Sequence, residues 1–132
     1  MKTWDELKDA EKNELVAECK RWRKEVELSS TGHPNPIWVD EHYNHILPWQ
    51  LPHWATDGCR SFTELWPEIE ERARRVLISN IGFTEKVCIV ETQERAYFFN
   101  LPTQRFDASV ISHVFVAITS GKCGCHAMKG PI

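Results

Sequence analysis

The chain has 132 residues, 42% hydrophobic and 27% charged, with a formal net charge of −3. That is the length of a typical single domain and the composition of a folded globular protein, and it excludes a disordered or fibrous chain. The mild acidity argues against nucleic acid as the main partner, because nonspecific phosphate binding rests on a strongly basic surface.

No stretch approaches the roughly 18 consecutive apolar residues of a membrane-spanning helix. Met1 to Glu6 leads into a charged segment instead of the apolar run of a secretory signal, so neither membrane insertion nor export is expected. The five cysteines, Cys19, Cys59, Cys88, Cys123 and Cys125, are odd in number. They fit a reducing compartment better than a disulfide framework, and the expected location is the cytoplasm.

In chain order, Thr3 and Glu6 have capping-box spacing around a short first turn, and Asp9 can cap a helix over about residues 10–27. Leu15, Cys19, Trp22 and Val26 fall on one stripe of that helix, with Lys20, Arg21, Arg23 and Lys24 near its C-terminal end where the dipole favours cations.

Residues 28–60 read as the least regular part. They hold four of the seven prolines (Pro34, Pro36, Pro48, Pro52), three of the six tryptophans (Trp38, Trp49, Trp54) and four of the six histidines (His33, His42, His45, His53). Irregular runs this long are uncommon in a domain and are usually functional or mobile. Within the run, Asp40 could cap a short helix over about 41–47.

A second helix is predicted over 66–79. Pro67 suits its first turn, Ile69, Ala73, Val76 and Leu77 form its apolar face, and Glu68–Arg72, Glu70–Arg74 and Glu71–Arg75 are i,i+4 pairs. Gly82 would stop it. The β-rich runs 86–92 and 95–101 predict a hairpin. Residues 109–119 fit either a helix behind an Asp107 cap or a strand, and strand is preferred because a third strand completes a meander. The tail, 120–132, reads as irregular. The expected fold is a single α+β domain over 1–132, with two main helices packed on a small antiparallel sheet, either a β-hairpin or a three-stranded meander.

Three constellations could carry chemistry. Cys123, Cys125 and His126 are potential zinc ligands that need a fourth, such as Cys59 or His53, but Cys-x-Cys spacing is tighter than that of the usual structural sites. His42 and His45 would share a helix face without a third ligand. Cys59 ahead of a helix and His113 entering an apolar segment could act as nucleophile and base. That order resembles the layout of papain-like amidases of the cell-wall hydrolase type, although Pro67 delays the helix and weakens its dipole at Cys59.

The basic run Lys20–Lys24 contains Trp22, as nucleic-acid faces do, but helical spacing assigns Trp22 to the apolar stripe and leaves the cations flanked by Glu18 and Glu25. Tryptophan is enriched at binding hot spots, and proline reduces the entropy lost when a loop is immobilised. The sequence therefore points to a noncatalytic module that offers Trp38, Trp49, Trp54 and His53 to a protein partner, as an inhibitor, immunity or phage accessory protein would. It is expected to have no cofactor. The alternative is an enzyme, either a zinc-dependent hydrolase or a Cys–His hydrolase using Cys59 and His113.

Overall fold

The computed structural model describes residues 2–81, 85–101 and 106–120. A 3-10 turn at Trp4–Glu6 leads into helix α1 (Asp9–Cys19), followed by strands β1 (Arg23–Leu28), β2 (Pro34–Val39) and β3 (His45–Ile46). A second 3-10 turn, Pro48–Gln50, precedes helices α2 (Gly58–Glu64) and α3 (Trp66–Arg72), then strands β4 (Arg75–Ile81), β5 (Glu85–Glu91) and β6 (Ala96–Leu101), and finally helix α4 (Ala108–Ser120). The strands form two separate three-stranded antiparallel sheets, ordered β1-β2-β3 and β4-β5-β6.

This corrects the expectation of two helices over one small sheet: there are four helices and two sheets among the described residues. The first correction lies at Cys19. The helix ends there because the Trp22 N–H donates to the Ala17 carbonyl and the Arg21 N–H to that of Glu18, a Schellman closure with Arg21 at φ 65° in the left-handed region. Glycine usually fills that position, so the stop leaves little trace in composition. The stripe shifts accordingly. Asn13, Val16 and Ala17 are buried, Leu15 is only half-buried, and Val26 belongs to an exposed strand.

The predicted helix over 66–79 is likewise divided. α3 ends at Arg72 and Ala73 is extended, after which the chain enters β4. Arg75, expected to pair with Glu71 along a helix, instead lies across from Glu91 in the sheet and binds it through Nε and Nη2 at 2.8 and 2.7 Å. Pairing against β5 overrides the local helical pattern. The hairpin expected at 86–92 and 95–101 is present as β5 and β6, and β4 is the strand that completes the meander.

The segment 109–119, preferred as a strand, is instead most of α4. Asp107 caps it, its Oδ1 accepting the Val110 N–H at 3.1 Å and its carbonyl the Ile111 N–H. Nine of the helix's 13 residues are buried. α1, α2, α3 and β6 all pack on it. Its polar residues Ser109, Ser112, His113, Thr119 and Ser120 gather on one side, but Ser112 and His113 are buried there, and with no charge to mark that side the helical and strand periodicities are hard to tell apart.

Residues 28–60 are also more regular than expected, since they supply β2, β3, a 3-10 turn and the start of α2. The predicted 41–47 helix is absent. Asp40 Oδ1 accepts the His42 and Asn44 N–H groups at 2.9 and 2.8 Å, and Tyr43 adopts φ 64°, so the chain reverses tightly from β2 into β3.

One contiguous core joins these parts: Val16 and Ala17 of α1, Trp38 of β2, Trp54, Leu65, Ile69 of α3, the inner residues of β5 and β6, and most of α4. Phe115, at the centre of α4, is almost fully buried. Replacing it with alanine should cost about 3–5 kcal/mol, against about 1 kcal/mol or less for Leu15→Ala at its half-buried site. Urea denaturation of both variants checks this order. Equal losses would remove α4 as the centre of packing.

Candidate functional site

The three tryptophans singled out between residues 28 and 60 take different positions. Trp38 is fully buried in β2, under the Lys24 ammonium at 5.6 Å from the ring centroid. Trp54 is fully buried too, edge-on to Trp22 at 5.3 Å, and its Nε1–H donates to Glu64 Oε1 at 3.1 Å. Arg60 holds the other oxygen of that carboxylate at 2.6 Å. The neighbouring Ala55 N–H donates to the Oδ1 of buried Asn13 at 2.9 Å, which fastens the segment to α1. Trp38 and Trp54 are thus core residues, and their assignment as partner-facing is corrected: large aromatic rings adjoining a helical core fill it before they serve a surface. Only Trp49, in the Pro48–Gln50 turn, is open to solvent, at 73% exposure. His53 is exposed, and its carbonyl accepts the Thr56 and Asp57 N–H groups in the turn before α2.

A wider apolar surface adjoins Trp49, and the sequence reading passed over its key residues. In the β1–β2 ribbon Lys24 lies opposite Trp38, Val26 opposite Pro36 and Leu28 opposite Pro34, so these six share one face. At the base of the ribbon that face buries Trp38. Towards its tip, Val26 and Leu28 are 64% and 69% exposed, and Pro34 and Pro36 are exposed beside them. The Trp49 turn packs against β2, and Tyr43 is exposed in the β2–β3 reversal. The available signal was the alternation Lys24-x-Val26-x-Leu28, which a helical reading of the segment conceals.

The two alternative catalytic residues lie on α4 and α2, in different surroundings. His113 lies on buried α4, stacked on Trp4 at 4.8 Å and 5° between planes, and edge-on to Phe99 at 4.8 Å. Trp4 is fixed in turn by its Nε1–H bond to Ser109 Oγ at 3.1 Å. Cys59 is exposed on the first turn of α2. The other two described thiols, Cys19 and Cys88, have pKa values raised above that of an ordinary thiol. Burial pushes the Cys88 thiol from its ordinary 9.0 up to about 12. Burial, reinforced by the Glu18 charge and opposed by Arg72, raises Cys19 to about 11.

Of the alternative zinc ligands, Cys123, Cys125 and His126 lie outside the described residues. Among the described residues no three His, Cys, Asp or Glu side chains gather as a metal-binding group. His42 and His45 are both exposed, the first near Glu41 and the second near Glu27 at 3.6 Å.

Three cations of the basic run have acidic neighbours: Lys20 lies 3.6 Å from Glu68, Arg23 3.4 Å from Glu25 and Lys24 3.9 Å from Glu14. A cleft of about 550 Å³ lies at the end of the second sheet, lined by Arg74, Arg75, Arg95, Glu91 and Glu94 among others. Within it Arg75 is engaged by Glu91 and Arg95 lies over Tyr97. No helix among the described residues is long and apolar enough to cross a membrane.

No protein-family model, curated protein or solved structure matches this chain. The functional reading therefore rests on the geometry alone.

The buried thiols give a pH dependence with a definite sign. Their folded-state values are raised, so their contribution to stability is complete below about pH 9 and is lost as the pH rises towards 11–12, because the unfolded chain releases these protons first. Urea denaturation between about pH 8 and pH 11 should show stability falling, and Cys88→Ala should make the fall shallower. In the native protein at neutral pH, iodoacetamide should modify Cys59 while Cys19 and Cys88 stay protected. Ready alkylation of Cys88 would contradict its burial.

Proposed function

We propose that the protein is a noncatalytic protein-binding module whose partner docks on the exposed apolar face of the β1–β2 ribbon and the adjoining Trp49. The observation that carries this reading is the distribution of exposed large hydrophobic residues. Of the seven among the described residues, Val26, Leu28, Tyr43 and Trp49 belong to the first sheet and the turns around it. Exposed apolar surface of this kind marks interaction sites, since leaving it in water forgoes the free energy that burial would give. Pro34 and Pro36 stiffen β2 along the same face, so little ordering entropy is lost on docking. Trp and Tyr suit the centre and margin of such a patch.

A protein that binds without a reacting group acts by occupying or positioning its partner, the mode of an inhibitor, immunity or phage accessory protein. Lys24, in the same row as Val26 and Leu28, would lie at the rim of a contact centred on those two residues and help orient a partner.

The test is affinity capture followed by measured binding of the partner so identified. Leu28→Ser and Trp49→Ala should each weaken binding by about 2 kcal/mol, roughly 30-fold, with an unchanged melting temperature. Trp54→Ala, in contrast, should lower the melting temperature. Full affinity retained by both surface variants would refute the ribbon as the docking face.

A further inference from the structure

The second sheet ends in the seven-residue strand β4, which among the described residues pairs with β5 alone. Such an edge presents a row of backbone N–H and C=O groups ready to pair. The other edges are guarded. β1 carries four charges in six residues, β3 is only two residues long, and β6 is mostly buried beside α4. β4 contains no Lys, Pro or Gly, and its single charge, Arg75, is held by Glu91 of its own sheet.

Its apolar residues are exposed on both faces. Leu77, 40% exposed, lies in the cross-strand row with Ile89 and Phe98, and Ile78, 52% exposed, lies in the opposite-facing row with Cys88 and Phe99. A helix or flat surface laid on one face would cover only one of them, whereas a strand added alongside covers both.

We propose that β4 pairs antiparallel with β4 of a second copy of this chain about a two-fold axis at Ile78, joining two three-stranded sheets into one of six strands. In that register Ile78 faces Ile78, Leu77 faces Ser79, Val76 faces Asn80 and Arg75 faces Ile81, so no like charges are opposed. Each residue meets one from the same face of the sheet, as a two-fold axis normal to the sheet requires. The two Arg75 residues sit at opposite ends of the seam, about 20 Å apart at the usual rise per residue and well beyond the screening length in physiological salt. One strand pair buries much less than the roughly 1,600 Å² of a standard interface, so the dimer is weak and reversible. This surface is separate from the β1–β2 ribbon, and the inference is independent of the ribbon's function.

Sedimentation equilibrium of the full chain from low micromolar to near-millimolar concentration tests the proposal. The mass should rise from 15.4 kDa towards twice that value. Ile78→Lys, which sets two ammonium groups against each other at the axis, should remain monomeric with an unchanged circular dichroism spectrum. Ile78→Cys should give, on mild oxidation, a dimer whose peptide map contains a 78–78 disulfide, while Val26→Cys on the ribbon should give no 26–26 link. A wild-type protein that stays monomeric throughout would overturn the proposal. So would an Ile78→Lys variant that dimerises as the wild type does, or an Ile78→Cys dimer linked through other cysteines.

Discussion

Burial of most of α4 is the constraint on which the rest of the structure depends. The helix has no charged residue among Ala108–Ser120, and nine of its 13 residues are buried; those at least partly open to solvent, Ser109, Val116, Thr119 and Ser120, lie along one side. Val114 and Phe115 alone each represent about 1.5–3 kcal/mol of transfer free energy. Three helices and β6 are therefore arranged around it. The polar groups near its start are provided for by the same arrangement. Asp107 takes up the Val110 N–H, and Ser109 Oγ accepts the Trp4 Nε1–H while lying 3.4 Å from Lys12 Nζ. The chain's opening 3-10 turn is thus fastened to its last helix, with Trp4 stacked on His113.

That arrangement leaves the first sheet only partly covered. Ile37, Trp38 and Val39, at the end of β2, are buried, whereas Pro34, Asn35 and Pro36 at its beginning are exposed together with all of β1. The ribbon is therefore anchored at one end and open at the other. The residues that hold it are Ile37, Trp38 and Val39, with the Lys24 ammonium over the Trp38 ring. His113 is buried on α4, stacked on Trp4, and Cys59 is exposed on α2.

Much of this was legible in the sequence where local chemistry and tertiary contacts agree. β5 and β6 are β-branched and aromatic runs joined by a short turn, whereas Asp107 marks a cap only in the helical alternative for the segment that follows, for which a strand is the preferred reading. Reading failed where tertiary packing decided the outcome. Arg21 ends α1 in a conformation normally left to glycine, so the helix seemed to run on into β1 and the apolar face of the ribbon was hidden. Glu68 to Arg75 has ideal helical charge spacing, yet Arg75 finds Glu91 across the sheet. α4 is apolar at positions of both periods, so its pattern does not distinguish helix from strand. At the candidate site, composition drew attention to Trp38, Trp49 and Trp54 together. Only the packing separates Trp49 on the surface from two rings in the core.

Native-state hydrogen exchange measures this division of the molecule most directly, because amides in a packed core open only with global unfolding while those of weakly covered elements open locally. The account predicts that the amides of Ile111–Ile118 in α4 exchange most slowly, with a free energy equal to that of global unfolding, and that those between Val26 and Pro36 exchange orders of magnitude faster. Amides in α4 that exchange as fast as those of the ribbon would contradict the central place given to that helix.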